Sequence, residues 1–136
     1  MILYAYDREV ADYVGQANGK PFKIVDATIG VVSGGRLIGG FVFTGHNGDG
    51  IELSLAGRGC ITREAWRAVT RYVFDQLGCA RLQVHTRRSN KAIKTTAPKG
   101  GFRFEGVARR FYGDEDGLCY SLTRDDLQAF RQRWGL

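Results

Sequence analysis

The chain has 136 residues, a net charge of +6, 43% hydrophobic residues and 25% charged residues. That length builds one domain around one core and excludes two, so residues 1–136 read as a single domain. The composition excludes a fibrous or disordered chain, and no apolar run approaches the roughly 20 residues that a membrane span needs.

The N-terminus MILYAYDREV has neither a basic leader nor a small-residue cleavage site, so a cytoplasmic protein is expected. ILYAY reads as a short strand. Asp7 is placed to cap a helix over REVADYVGQANG, with Val10, Val14 and Tyr13 facing inward and Gly19 at its stop. From Ala27 the period changes to that of a sheet. Three apolar runs, separated by SGGR and GHNGDG, read as an antiparallel meander. In TREAWRAVTRYVFDQLG, residues Ala65, Trp66, Val69, Val73 and Leu77 recur at helical spacing opposite an arginine stripe of Arg63, Arg67 and Arg71. Thr62 suits its N-cap and Gly78 its end. ARLQVHT is a further strand, and SNKAIKTTAPKGG a short helix ended early by Pro98 and the two glycines. FRFEGVARRFYG and GLCYSLT make a strand pair around the DEDG turn, and RDDLQAFRQRWGL is a C-terminal helix. The order predicts an α+β (mixed α/β) fold with a largely antiparallel sheet of six to seven strands flanked by helices.

Two charge features need a partner. Arg58 and Arg63 stand at the start of the longest helix, the positive end of its dipole, where each cation costs a few tenths to about 1 kcal/mol unless an anion is present. Residues 81–110 carry Arg81, Arg87, Arg88, Lys91, Lys94, Lys99, Arg103, Arg109 and Arg110 against the single Glu105. Such a block suits a nucleic acid, a phosphate-bearing cofactor, or simply a solvated basic face. Phe102, Phe104, Phe111 and Tyr112, interleaved with it, are candidates to stack bases. Cys60, Cys79 and Cys119 are an odd number without metal-ligand spacing and read as reduced thiols. Cys79 and Cys119 read as core fillers. Cys60, beside a helix start, is the one thiol whose pKa that position would lower. His85 on a strand and His46 in a glycine-rich turn do not suggest a metal site.

The stretch GCARLQVHTRRSNKAIKTTAPKGGFRFEGVARR resembles the GNAT superfamily of acyl-CoA-dependent N-acetyltransferases, in which a strand is followed by an asparagine opening a helix, a Gly-Phe pair and a Glu-Gly pair. Here these are Asn90, Gly101-Phe102 and Glu105-Gly106. The front part, ATIGVVSGGRLIGGFVFTGHNGDGIELSLAG, is similar in particular to the small members carried by bacteriophages and prophages, and the likeness covers roughly residues 2 to 126. The resemblance implies a GNAT-like fold that transfers an acetyl group from acetyl-CoA (coenzyme A) to an amine on a protein, peptide or small molecule. The oligomeric state is left open between monomer and homodimer, and a host cytoplasm is expected if the chain is phage-encoded.

The resemblance also assigns residues. AGRGCITRE would cradle the diphosphate at a helix N-terminus, through backbone N–H groups of about Gly59 to Arg63, with Arg58 and Arg63 as counter-charges. Gly59, Cys60, Ile61, Thr62 and Asn90 are thus cofactor-binding candidates, and Arg87, Arg88 and Lys91 lie where an adenosine 3′-phosphate could meet them. A backbone N–H around Leu53 to Leu55 would polarise the thioester carbonyl. Glu52 and His85 are the candidate bases, a role worth roughly 100- to 10,000-fold. The chain departs from the family pattern twice. Cys60 and Thr62 occupy positions that are usually glycine, and Ala97 stands where many relatives carry a tyrosine that protonates the leaving thiolate. A thiol pKa of around 8.5 makes unassisted departure plausible. Two alternatives accompany acetyl transfer: a GNAT-fold module without catalysis, and a nucleic-acid-binding or -modifying protein using residues 81–110.

Overall fold

A computed structural model describes residues 2–3 and 8–134. Asp7 and all but the first two residues of ILYAY lie outside the described residues. The elements in chain order are β1 (Ile2–Leu3), α1 (Arg8–Asn18), β2 (Ala27–Ser33), β3 (Arg36–Thr44), β4 (Gly50–Ala56), α2 (Arg63–Thr70), β5 (Arg81–Arg87), α3 (Lys91–Lys99), β6 (Arg103–Ala108), β7 (Gly117–Thr123) and α4 (Arg124–Trp134). They build one seven-stranded sheet in the order β1-β2-β3-β4-β5-β7-β6. Every pairing is antiparallel except β4 with β5.

Local chemistry sets most boundaries. Gly34 and Gly35, at φ +58° and +76°, turn the β2–β3 hairpin, as a two-residue loop with positive φ at both positions requires. The Asn47 carboxamide oxygen accepts from the Asp49 and Gly50 N–H groups at 3.2 and 2.8 Å and folds the chain into β4. Thr62 caps α2, its hydroxyl accepting from the Ala65 N–H at 3.1 Å. At the end of α1, Gly19 adopts φ +67°. The Gly19 and Lys20 N–H groups donate back to the Gln16 and Gly15 carbonyls, the Schellman arrangement.

Two helices depart from their sequence reading. The helix expected to run unbroken to Gly78 changes at Arg71–Gln76 into a π-turn segment, with the Leu77 N–H reaching the Tyr72 carbonyl. The Thr70 hydroxyl donates to the Trp66 and Arg67 carbonyls just before this change. Such back-bonding loosens the following turn. α3 does not stop at Pro98 but carries it inside its last turn. There a proline removes a single hydrogen bond, and the end comes at Gly100 and Gly101 instead.

The core lies mainly on one sheet face, where α2 and the π segment cover Phe41, Phe43, Leu53, Leu82, Val84 and Leu122. α1 covers the opposite face of β3, with Ala11 and Val14 against Val42. Phe41, Phe43, Phe74, Leu53 and Leu82 are fully buried, each worth about 1.5–3 kcal/mol relative to exposure. The face of β5, β7 and β6 opposite α2 is polar and presents Arg81, Gln83, His85, Glu105, Cys119 and Ser121. Cys119 is therefore no core filler; it is half-exposed beside Glu105, whereas Cys79 is buried.

One opening in the sheet sets up the site. β4 and β5 pair from Gly50 with Arg81 to Leu53 with Val84. Beyond that, β4 stays bonded to β3 as far as Ala56, and β5 stays bonded to β7 as far as Arg87. Each strand thus follows its outer neighbour, and the two part.

Candidate active site

A cavity of about 490 Å³ opens where β4 and β5 separate. Leu55 of β4 and Val84 of β5 line it together with Trp66, Ile93, Ala97 and Phe102. Trp66 and Phe102 are core-packed and cavity-lining at once, their rings 5.5 Å apart. Arg58, Arg63 and Lys99 stand among the lining residues, and no Asp or Glu does among the described residues. An apolar throat with cations around it suits a long, largely uncharged ligand with an anionic head.

The turn between β4 and α2 is tied beneath β3. Gly57 sits at φ +95°, and a Cβ there would fall 2.4 Å from the Ile38 carbonyl oxygen, so no other residue fits. The chain then makes a 3₁₀ turn over Arg58–Cys60. Within it the Cys60 N–H donates to the Gly57 carbonyl and the Ile61 N–H to the Arg58 carbonyl, both at 3.2 Å. Two of the five N–H groups expected to face a diphosphate are therefore engaged inside the turn. Gly59 is buried against Val31 and Ile38 and does not line the cavity; Cys60, Ile61, Thr62 and Arg63 do. The Cys60 thiol donates to the Gly40 and Ala56 carbonyls. Burial pushes it up to about 12, the opposite of the lowering its place near a helix start suggests: desolvation of the thiolate outweighs the dipole. Asn90 lines the cavity and caps α3, its side-chain oxygen accepting from the Ile93 N–H at 3.4 Å.

Leu53 and Leu55 divide in role. Leu53 is fully buried and is the last β4 residue paired with β5. Leu55 lies beyond that pairing and lines the cavity. Its carbonyl accepts from the Asn18 side-chain amide at 3.4 Å, away from β3. A strand residue's N–H and C=O leave on the same edge, so the Leu55 N–H also faces the gap.

On the sheet face opposite the buried Leu53 and Val84, the fold brings together the two titratable candidates. The Glu52 carboxylate contacts His85 Nδ1 directly, and the Gln83 amide donates to the same carboxylate oxygen at 3.5 Å. Burial alone would raise the Glu52 carboxyl, but the bond and charge of His85, the Gln83 contact and the Lys20 charge together carry it below the usual carboxylate value. The His85 side chain is 15% exposed and that of Glu52 26%. The Phe111 ring stacks on the imidazole at 4.2 Å and 11°. With that face filled, the Lys20 ammonium takes the other side of Phe111, 3.6 Å from its centre, and donates to the Phe111 carbonyl at 3.2 Å.

Sequence reading missed Asn18 and the role of Arg87. Asn18 lines the cavity and bonds Leu55 on β4, while its own carbonyl accepts from Arg87 Nε on β5 at 3.1 Å. Arg87 Nη1 also pairs with Asp114 at 3.0 Å and Glu115 at 3.2 Å, and its guanidinium lies 4.6 Å from the Tyr112 ring centre. An asparagine at a helix end reads locally as a cap, and only the tertiary fold gives it two strands to hold.

The same pairings dissolve much of the basic block. Arg81 binds Glu105 at 2.5 and 2.8 Å, Arg88 binds Asp116 at 3.6 Å, and Arg103 binds Asp126 at 2.8 Å. Phe102 is buried, Phe111 covers His85 and Tyr112 is half-buried, which leaves Phe104, 55% exposed with one edge on Tyr120, as the exposed ring of the four. The four rings considered as base-stacking candidates do not share one exposed surface.

No protein-family profile matches the sequence, and no curated protein matches it. The backbone does match solved structures. One is a GCN5-related N-acetyltransferase from Brucella melitensis, at 25% identity and TM-score 0.68 over 80% of this chain and 56% of that one. Others are the spermidine/spermine N-acetyltransferase SpeG from Vibrio cholerae (14%, TM-score 0.69, 92% of this chain and 96% of that one) and a ribosomal-protein-alanine N-acetyltransferase from Brucella melitensis (14%, TM-score 0.66, 90% and 99%). The chain spans 56% of the first protein's length, and 61% and 64% of two further acetyltransferase structures. These backbone matches show the fold: the chain has the fold of the GCN5-related N-acetyltransferases.

Proposed function

We propose that the chain is an N-acetyltransferase using acetyl-CoA as donor and a primary amine as acceptor. The observation that carries this is the Glu52–His85 pair standing beside the gap that exposes the Leu55 peptide edge. The residues fit the donor: the apolar lining accepts its pantetheine arm, and Arg58, Arg63 and Lys99 answer its phosphates. With the Cys60 and Ile61 N–H groups bonded inside the turn, the N-terminal end of α2 that starts after Thr62 answers the diphosphate. Acetyl-CoA supplies the acetyl group as a thioester.

The chain's own part is threefold. The Leu55 N–H meets the oxygen on which negative charge develops. The parted strands hold acyl carbon and amine within reach of each other. His85, with Nδ1 committed to Glu52, keeps Nε2 to take the proton that an ammonium must lose before its nitrogen can attack. A bond from nitrogen to the acyl carbon forms as the carbon–sulfur bond breaks, and the second proton that the nitrogen sheds passes to the departing sulfur or to solvent, position 97 being an alanine that offers no acid.

Solved neighbours named for spermidine/spermine and for a ribosomal-protein alanine mark the acceptor classes to try. The test is calorimetric titration with acetyl-CoA, then mass spectrometry of polyamines, lysine peptides and alanine-terminated peptides incubated with enzyme and donor. Saturable binding with a gain of one acetyl group on one class is the expected result. Binding without transfer would leave a non-catalytic module, and absence of binding at millimolar donor would overturn the reading.

A further inference from the structure

The cofactor cavity and the Glu52–His85 pair lie on different sides of the same two strands, and one side chain is bonded to the structures that hold both. Arg87 ends β5 two residues after His85. Its Nε donates to the Asn18 carbonyl, and the Asn18 side chain donates to Leu55 on β4, so the two residues span the gap beyond the last β4–β5 pair. Its Nη1 holds Asp114 and Glu115 in the turn between β6 and β7, the turn that lays Phe111 on the imidazole. Glu115 extends the link by accepting from the Ser89 N–H at 2.7 Å, next to Asn90 in the cavity wall. Gly19 makes room for the guanidinium: a Cβ there would stand 3.0 Å from Arg87 Nη2.

Resting on the acetyltransferase reading, we propose that Arg87 is a positioning residue that keeps the carbonyl-polarising N–H of Leu55 and the base His85 in register, through Asn18 on one side and the β6–β7 turn on the other. Two acids on one nitrogen and a backbone oxygen on another require a planar fork with fixed directions. An ammonium presents one point of charge and cannot reach both sides of the gap. Lysine at position 87 therefore keeps the charge and loses the geometry. Because Arg87 acts on Leu55 through Asn18, the two residues form one unit, and changes to them do not add.

The experiment compares wild type, Arg87→Lys, Asn18→Ala and the double variant. Steady-state transfer to the acceptor found above is measured alongside ¹H–¹⁵N spectra recorded with and without acetyl-CoA. Wild type should show a downfield shift of the Leu55 amide proton on donor binding. Each single variant should lose most of that shift and about 10- to 100-fold in kcat. The KM for acetyl-CoA should stay within about threefold in Arg87→Lys, whose side chain does not line the cavity, and the double variant should be no worse than the poorer single one. Additive losses, a loss confined to donor KM, or an unchanged Leu55 shift in Arg87→Lys would overturn the proposal. The amide shift is read without any acceptor. A wild type that binds donor, shows the Leu55 shift and acetylates nothing would thus count against the transferase reading, while dependence of that shift on Arg87 and Asn18 would still support this one.

Discussion

The turn from Gly57 to Thr62 and the turn from Arg109 to Asp116 flank the same gap and differ in how they are held. The first is fixed by its own backbone: a glycine at φ +95°, a 3₁₀ turn, a threonine cap and a thiol bonded under β3. The second also has backbone bonds of its own, from the Tyr112 N–H to Glu115 and the Gly113 N–H to Arg110, but adds ties to distant parts of the chain: Arg87 on its acids and Lys20 on the Phe111 carbonyl, with Arg110 at φ +54°. A locally determined turn can be read from a short window and suits a constant partner such as a diphosphate. A turn pinned by distant side chains depends on the whole fold and suits the side where acceptors differ.

That contrast assigns each side a measurable signature. The largest effect belongs to the second side: His85→Gln and Glu52→Gln should lower kcat by about 100- to 10,000-fold with donor binding unchanged. Equal losses in donor affinity would erase the distinction. Next, Arg58→Glu and Arg63→Glu should weaken acetyl-CoA by about tenfold or more each, since a charge-assisted contact worth roughly 1.5–3 kcal/mol is replaced by repulsion. Calorimetry at two salt concentrations checks this, and the deficit should shrink in high salt.

A smaller effect concerns pH. Glu105 is drawn down to about 2 by Arg81 and Ser121. Its folded pKa lies below the unfolded value of about 4.3. The stability it contributes is therefore complete above that value and is lost as the pH falls toward 2. The side chain is 38% exposed, so screening keeps the contribution small. Arg81→Met should flatten only the acid arm of the stability curve, as chemical denaturation between pH 2 and 6 would register. The smallest effect is in labelling: a maleimide should modify half-exposed Cys119 before buried Cys60 and Cys79, which peptide mapping reads directly.

The sequence carried the elements whose signals are local. The Gly-Gly hairpin, the Thr62 cap, the Gly19 stop and the alternating strands all announce themselves within a few residues, whereas Glu52 and His85 were singled out one by one, through the resemblance, as candidates on separate strands. Their contact was not legible, because it depends on a parallel register that sets Glu52 beside Gln83 across 31 positions. Asn18 and Arg87 were opaque for the same reason, and the basic block misled because its counter-charges sit at 114–116 and 126. The π segment escaped because Val73 and Leu77 keep a helical spacing that does not distinguish a four-residue turn from a five-residue one.

The most direct measurement is the rate of acetyl transfer by wild type and His85→Gln at saturating donor, with acetyl-CoA affinity determined on the same preparations. Equal affinities with a rate at least about 100-fold lower in the variant are expected if His85 takes the amine proton beside the parted strands. Equal affinities with equal rates would place the chemistry elsewhere and contradict it.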